Sequence, residues 1–399
     1  MHVAVNAQLL SAETSYRAAG VSKYSYHLLR ALHQAATAED VNFTAFVPAS
    51  AAPIIAADLA NRQRIENSKA SKSTAQYIRL AQTSLPMQQP LVRIAWEQTW
   101  LPLRLAQIRA DLVHGLVNVL PLSGQTPGVV TVHDLSFLRM PEVLPAFKRR
   151  YLAALCQRSV HKAQQVIAVS QQTADDLMHY FGLASRKINV IHNGVDERFE
   201  PGDPRQIAQF RREHGLPHRF LLYIGTLEPR KNLPLLIRAF ARWRATAGPS
   251  QQDVKLVVAG AKGWFYEQIF AEVNRLHMTE HVLFPGFLPD EDLPNWYRAA
   301  LAFVYPTRFE GFGLPVLEAM SCGTPVICSQ APSLLEIVGD QALTHAVDDE
   351  EGLSRHMAQI VKNAELRAAL AEGGLQRARA FSWVRTATET LAVYRLVLK

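Results

Sequence analysis

An alternation that runs through the chain twice constrains the fold most. Short runs rich in Val, Ile and Phe stand at residues 3–6, 43–47, 112–114, 129–133, 166–170 and 188–192, and helical periodicity fills the gaps at 21–32, 97–108, 146–163 and 173–181. A second series of runs, at 220–225, 255–260, 282–285, 301–305 and 325–329, alternates with helices in the same way. Runs that are apolar throughout suit parallel strands buried on both faces by crossover helices. Between the two series lies Glu200-Pro201-Gly202-Asp203-Pro204, whose prolines and glycine interrupt any regular element and suit a hinge. These patterns predict two doubly wound α/β domains, 1–199 and 204–382. A last helix, 383–399, is able to pack on either, with the first as its expected seat. A length of 399 residues agrees with two domains of ordinary size.

Hydrophobic residues make up 48% of the chain and charged residues 19%, which excludes a disordered composition. The net charge of +7 is uneven: residues 1–199 hold 20 Lys+Arg against 13 Asp+Glu, and residues 200–399 hold 22 of each. An anionic partner for one half only is the reading, with a merely basic surface as the alternative. Cys156, Cys322 and Cys328 are odd in number and widely spaced, which fits a reducing compartment rather than a disulfide framework. Met1-His2-Val3-Ala4-Val5-Asn6 leads straight into a strand without the marks of an export signal, and no apolar run is long enough to span a bilayer. The expectation is a cytoplasmic protein.

Several cofactor chemistries lack their sequence marks. No Gly-x-Gly-x-x-Gly follows the first strand, and neither a phosphate loop ending in Gly-Lys-Ser/Thr nor His-Glu-x-x-His occurs. Asp290-Glu291-Asp292 has the spacing of a divalent-metal site, but it precedes Leu293-Pro294, where acids favour the positive end of a helix dipole. We read it as a helix start.

Four loops follow strands at their carboxyl ends, where doubly wound sheets bind ligands. Gly225-Thr226-Leu227-Glu228-Pro229-Arg230-Lys231-Asn232 sets two cations beside a helix start, with Asn232 as its expected cap; together they suit a diphosphate. An exposed basic turn is the plainer alternative. In the loop Tyr305 to Glu318, Gly311 and Gly313 admit a ligand close to the backbone, Pro315 suits the first helical position, and Glu310 lies just before the helix with Glu318 about one turn inside it, at different depths of one pocket. His133-Asp134 interrupts a buried run at a strand end, and Gly20 follows the first strand; each is weak alone.

Taken in order, Gly225–Asn232, Glu310–Glu318, His133-Asp134, Asn193-Gly194-Val195-Asp196 and Val282-Leu283-Phe284-Pro285-Gly286 resemble the family 4 retaining glycosyltransferases of GT-B fold, over nearly the whole chain. That resemblance implies two Rossmann-like domains facing across a cleft, with the nucleotide sugar on the C-terminal one. It implies that Arg230 and Lys231 neutralise the diphosphate and that Glu318 holds the ribose. Glu310, with backbone near Phe312, Gly313 and Leu314, would hold the transferred sugar, and backbone at Phe287 and Leu288 would meet the base. Gly20 would approach the diphosphate and His133 the sugar near its reacting carbon. Ala19 stands where the family often has a further glycine.

The catalytic set implied is His133, Glu310, Arg230 and Lys231, with no metal and no cofactor. The opening residues are similar to mannosyltransferases that use GDP-mannose for surface polysaccharides, with UDP- and dTDP-sugars as alternative donors. The implied acceptor is a glycan or a polyprenyl-diphosphate-linked glycan, and nucleic acid drops out as a partner. Arg62, Arg64, Lys69, Lys72, Arg79, Arg93, Arg104 and Arg109, interleaved with Trp96, Trp100 and several Leu, suit an anionic membrane surface or, alternatively, ordinary helices on a sheet. Rival readings are a sugar-nucleotide epimerase of the same fold, an exported two-lobed sugar-binding protein, and a non-catalytic nucleotide-sugar-binding scaffold.

Overall fold

The computed structural model describes residues 1–11, 19–36, 41–67, 78–140 and 146–399. Their contacts divide the chain into two units: Met1–Gly194 with Ser382–Lys399, and Val195–Phe381.

The described residues of the first unit form the strands β1 (His2–Asn6), β2 (Asn42–Pro48), β3 (Ile78–Thr83), β4 (Leu112–Gly115), β5 (Gly128–Val132), β6 (Gln165–Ala168) and β7 (Ile188–Val190). They pair in parallel in the order β3-β2-β1-β4-β5-β6-β7. Alternate residues serve opposite faces. Val3, Val5, Phe43, Ala45, Leu112 and Ile167 belong to one core, and Ala4, Phe46, Val113, Val130 and Val166 to the other. Burial on both faces is why these strands read as continuous apolar runs. The helix Trp383–Leu398 packs beside Ala19–Ala36, with Trp383, Ala387, Leu391 and Tyr394 in the first of those cores.

The second unit holds β8 (Phe220–Ile224), β9 (Lys255–Ala259), β10 (Val282–Gly286), β11 (Ala302–Tyr305), β12 (Val326–Ser329) and β13 (Leu343–His345), parallel in the order β10-β9-β8-β11-β12-β13. In each sheet the order reverses once, between β1 and β4 and between β8 and β11. These switch points open a crevice at the carboxyl ends.

The boundary lies earlier than the 200–204 segment. Val195 N–H donates to the Phe381 carbonyl (3.3 Å), and Arg298 holds the carbonyls of Arg198 (3.0 Å) and Glu200 (2.7 Å). Asp203 accepts from Arg205 N–H and caps the helix Pro204–Glu213, so the expected hinge is a helix start within the second unit. Assigning the last helix to the first unit also sharpens the charge contrast, to 22 Lys+Arg against 12 Asp+Glu in the first unit and 20 against 23 in the second.

Candidate active site

In the second unit the strand β8 ends at Ile224, and the chain leaves through Gly225 to a single turn, Pro229–Lys231, before the helix Leu233–Thr246. Gly260, at the end of β9, is glycine for a steric reason: at φ +145° a Cβ would lie 1.9 Å from the Gly225 carbonyl oxygen. Asn232 takes the N-cap position at φ 56°, but its side chain does not cap. It donates to the Val347 carbonyl (3.1 Å) and to Asp348 (3.3 Å).

Arg230 and Lys231 meet the loop that follows β11. Arg308 N–H donates to the Arg230 carbonyl (2.8 Å), which ties the two loops by backbone. Lys231 Nζ donates to Glu310 Oε1 (2.5 Å) and to the Tyr305 hydroxyl (2.5 Å), and lies 4.8 Å over the Tyr305 ring. Arg230 Nη1 donates to Glu310 Oε2 (3.1 Å), and its Nε is bound to Glu228. The Tyr305 hydroxyl (3.1 Å) and the Thr307 hydroxyl (3.0 Å) complete the contacts of Glu310 Oε1.

Lys231 is 5% exposed and Glu310 8%. Burial pushes the Glu310 carboxyl up, but the charges of Arg230 and Lys231 overcome it and hold the group at about 2. Burial and the neighbouring Arg230 push the Lys231 ammonium down, against the pull of Glu310. The arrangement is two cations cross-braced by one carboxylate at a switch point. Tyr305 and Thr307 escaped the sequence reading; their place at the end of an apolar strand, five and three residues before Glu310, is the signal available.

Gly313 starts the helix Leu314–Ser321 at φ +118°, and a Cβ there would lie 2.4 Å from Leu334 Cδ2. Pro315 is therefore the second helical residue, not the first. Glu318 is buried on this helix and accepts from the Tyr297 hydroxyl (2.9 Å). Phe312 is buried, with its ring 6.1 Å from that of Phe381. Past β10, Phe287 is half-exposed and Leu288 buried. Asp290 is engaged by Arg198, whose Nη1 also donates to the Asp290 carbonyl (2.9 Å). Asp292 takes the N-cap position of the helix Leu293–Ala299, but no side-chain cap bond forms and the first turn holds no acid, so dipole-compensating acids are not what the 290–292 segment supplies. Among the described residues no group of three or more His, Cys, Asp or Glu is arranged to hold a metal ion.

In the first unit Gly20 is exposed at the start of the helix Ala19–Ala36, and a Cβ placed on it would meet no atom within 4 Å. His133 lies just past β5. Its Nε2–H donates to the Leu116 carbonyl (2.8 Å), its backbone N–H to Asn118 Oδ1 (3.2 Å), and the Tyr24 ring stands edge-on at 4.6 Å. Burial pushes its pKa down, so the ring is neutral and Nδ1 is its acceptor nitrogen. At the end of β1, Asn6 donates to Glu97 Oε1 (3.0 Å), and Gln8 reaches Thr83 (2.8 Å). All three of Asn6, Gln8 and Glu97 are buried, and Asn6 Oδ1, Gln8 Oε1 and Glu97 Oε2 have no donor among the described residues.

The helix Pro90–Gln107 buries Trp96, Glu97, Leu101 and Leu105 and leaves Leu91, Trp100 and Leu103 exposed. The side chains of Arg62 and Arg64, and residues Lys69 and Lys72, lie outside the described set. No described helix is long and apolar enough to cross a membrane.

A family model described as glycosyl transferases group 1 matches residues 205–377, and one described as glycosyltransferase family 4 matches residues 18–199. The O-antigen chain mannosyltransferase B of Escherichia coli is 31% identical over 389 residues, which is 96% of this chain and 97% of that protein. Two solved structures share the fold. The sucrose-phosphate synthase of Thermosynechococcus elongatus has a TM-score of 0.75 at 20% identity, covering 99% of this chain and 98% of its own. Anabaena HepE in complex with UDP-glucose has a TM-score of 0.69 at 18% identity, covering 99% of each.

Proposed function

The chain belongs to the group 1, family 4 glycosyltransferases of GT-B fold, and from that premise we propose that it transfers mannose from GDP-mannose, with retention, to a growing surface glycan. The observation that carries the reading is the pair Arg230 and Lys231 at the β8–β11 switch point, held by Glu310. Departure of a nucleoside diphosphate develops negative charge on its oxygens. Two fixed cations stabilise that charge without reorganising, an effect worth several kcal/mol per well-placed donor. Glu310 and Glu228 balance the two cations, so an arriving diphosphate draws the cations toward itself and leaves Glu310 oxygens for sugar hydroxyls.

The other roles follow the family pattern. Glu318 holds the ribose, backbone at Phe287 and Leu288 meets the base, Phe312, Gly313 and Leu314 line the sugar, and Gly20 approaches the diphosphate. Neutral His133, with Nε2–H committed to Leu116, offers Nδ1 to a donor-sugar hydroxyl. The acceptor hydroxyl attacks the anomeric carbon on the face the diphosphate leaves, and its proton passes to a diphosphate oxygen. Arg230 and Lys231 supply the charge that a divalent ion supplies elsewhere, so turnover proceeds in excess chelator; a loss restored by Mg²⁺ returns Asp290 and Asp292 to consideration as ligands.

The support for mannose is the sequence likeness to the O-antigen mannosyltransferase, along nearly the whole of both chains. A thermal-shift panel of GDP-mannose, UDP-glucose, dTDP-rhamnose and ADP-glucose tests it. GDP-mannose at 100 times its dissociation constant stabilises by about 2.7 kcal/mol. Stabilisation by another sugar nucleotide and not by GDP-mannose overturns the donor assignment.

A second reading concerns location. Trp100 and Leu103, 62% and 67% exposed on a unit rich in Lys and Arg, suit the anionic inner face of a cytoplasmic membrane, where a polyprenyl-diphosphate-linked acceptor is presented. Flotation with phosphatidylglycerol vesicles tests it, and absence of binding at low salt removes it.

A further inference from the structure

We infer that the C-terminal helix Trp383–Leu398 supplies two positioning residues, Tyr394 and Trp383, that fix the imidazole of His133 through Tyr24. The inference rests on the donor-sugar role given to His133 above.

A buried chain of hydrogen bonds runs through the first unit from its last helix across β4 and β5 to Tyr24. The Tyr394 hydroxyl meets His114 Nδ1 at 2.6 Å, His114 Nε2 meets the Thr131 hydroxyl at 2.8 Å, and Thr131 meets the Tyr24 hydroxyl at 3.0 Å. None of the four is more than 1% exposed. Burial holds His114 neutral, so its ring carries one N–H; it donates at one nitrogen and accepts at the other. The Tyr394 and Thr131 hydroxyls therefore meet opposite roles on the His114 ring, and the Thr131 hydroxyl links that ring to Tyr24, so the orientation of Tyr24 at one end is tied to Tyr394 at the other.

The chain is built in register with the His133 contacts. Thr131 and His133 are two residues apart along β5 and its extension, as are His114 and Leu116 along β4 and its extension. His114 faces Thr131 and the Leu116 carbonyl faces His133, both at 2.8 Å, in successive layers of the same strand pair. Tyr24 touches both layers, with its hydroxyl on Thr131 and its ring edge-on to His133. Behind Tyr24 stands Trp383, its ring 5.8 Å away, itself stacked on His27 at 5.2 Å and 14°. The Leu116 carbonyl holds the imidazole at Nε2 and Asn118 holds the His133 backbone, so Tyr24 is the wall that completes the seat. A ring with one nitrogen committed to a carbonyl and packed at right angles to a fixed phenol has a single orientation for Nδ1.

Tyr394→Phe and Tyr24→Phe each remove one hydroxyl and keep the ring, and His133→Ala removes the sugar contact itself. Calorimetric titration of the full-length chain with GDP and with GDP-mannose gives the ratio of the two affinities, which isolates the sugar contact from diphosphate and base. Both phenylalanine variants lower that ratio about fivefold, the worth of one misaligned hydrogen bond, with GDP affinity unchanged. Nitrogen-15 spectra of the His133 ring show the Nε2–H tautomer in the wild type and a mixture in the variants. If His133→Ala keeps the wild-type ratio, the sugar role of His133 falls. If His133→Ala loses the ratio while both phenylalanine variants retain it with an unchanged tautomer, the positioning role falls.

Discussion

At the carboxyl edge of the second sheet, Arg230, Lys231 and Glu310 are ionised and brace one another, and burial strengthens the bond because each charge has its partner. At the same edge of the first sheet, His114 and His133 are driven neutral, and the buried carboxyl of Glu97 is pushed up to about 6 by burial against the pull of Arg93 and Asn6. The contrast separates two ways of preparing a site. Charge is assembled in advance where we propose that a leaving group is stabilised, and neutral hydrogen bonding is used where we propose that a ring is aimed. A charged network is costly to break, and a neutral one is costly only to misalign.

The largest effect expected from that difference is Lys231→Ala. It leaves Glu310 buried with half its counter-charge, so stability drops by about 3 kcal/mol and glycosyl transfer falls by at least about a thousandfold. Urea denaturation and a turnover assay measure the two; retention of both, within about a factor of ten in turnover and about 1 kcal/mol in stability, breaks the comparison.

Acid comes next. Burial holds His114 at about 3 in the folded chain, whereas an exposed histidine titrates near 6.5, so the unfolded chain takes up the proton first and stability falls as pH drops from about 6.5 toward 3. Glu310 acts later. Held at about 2 when folded and near 4.3 when exposed, it contributes stability that is complete above about pH 4.3 and is lost as pH falls toward 2. Urea midpoints at stepped pH therefore show the upper slope flattened in His114→Gln and the lower one flattened in Glu310→Gln, each by on the order of a few kcal/mol across its window. Identical slopes in both variants and the wild type remove the distinction between the two edges.

The smallest effect is Glu97→Gln. A neutral amide ends the burial of a charge and brings a donor to Asn6 Oδ1, which lacks one, so stability at pH 7 rises by about 1 kcal/mol. The raised carboxyl of Glu97 opposes His114 between about pH 6 and 4.3, and the variant shows a steeper upper slope for that reason. A lower melting temperature contradicts the reading of Glu97 as an unsatisfied group.

The strands are legible where both faces are buried: 43–47 and 220–225 become Asn42–Pro48 and Phe220–Ile224. The strand β3 is not, because Ile78-Arg79-Leu80-Ala81-Gln82-Thr83 mixes polar and apolar residues at the edge of the sheet, where one side of the ladder is unpaired. The helix Pro90–Gln107 starts seven residues before its periodicity suggests, since Pro90 is a good first residue and Pro102 interrupts the pattern inside. Arg230, Lys231 and Glu310 stand out individually, but nothing in their spacing of about 80 residues says that both oxygens of Glu310 are spent on the two cations. That pairing comes from β8 and β11 being neighbours. His114 is invisible because a buried histidine inside an apolar run has no local mark, and its partner Tyr394 is 280 residues away.

A chain whose first unit is closed by Ser382–Lys399, after the whole of the second unit, is made in an order that its architecture does not follow. The ribosome releases Val195–Phe381 as a continuous segment able to fold at once, while the sheet begun at His2 waits for Trp383, Leu391 and Tyr394 to cover one face. Folding of the first unit thus depends on residues made after the second is complete, whereas folding of the second does not depend on the first.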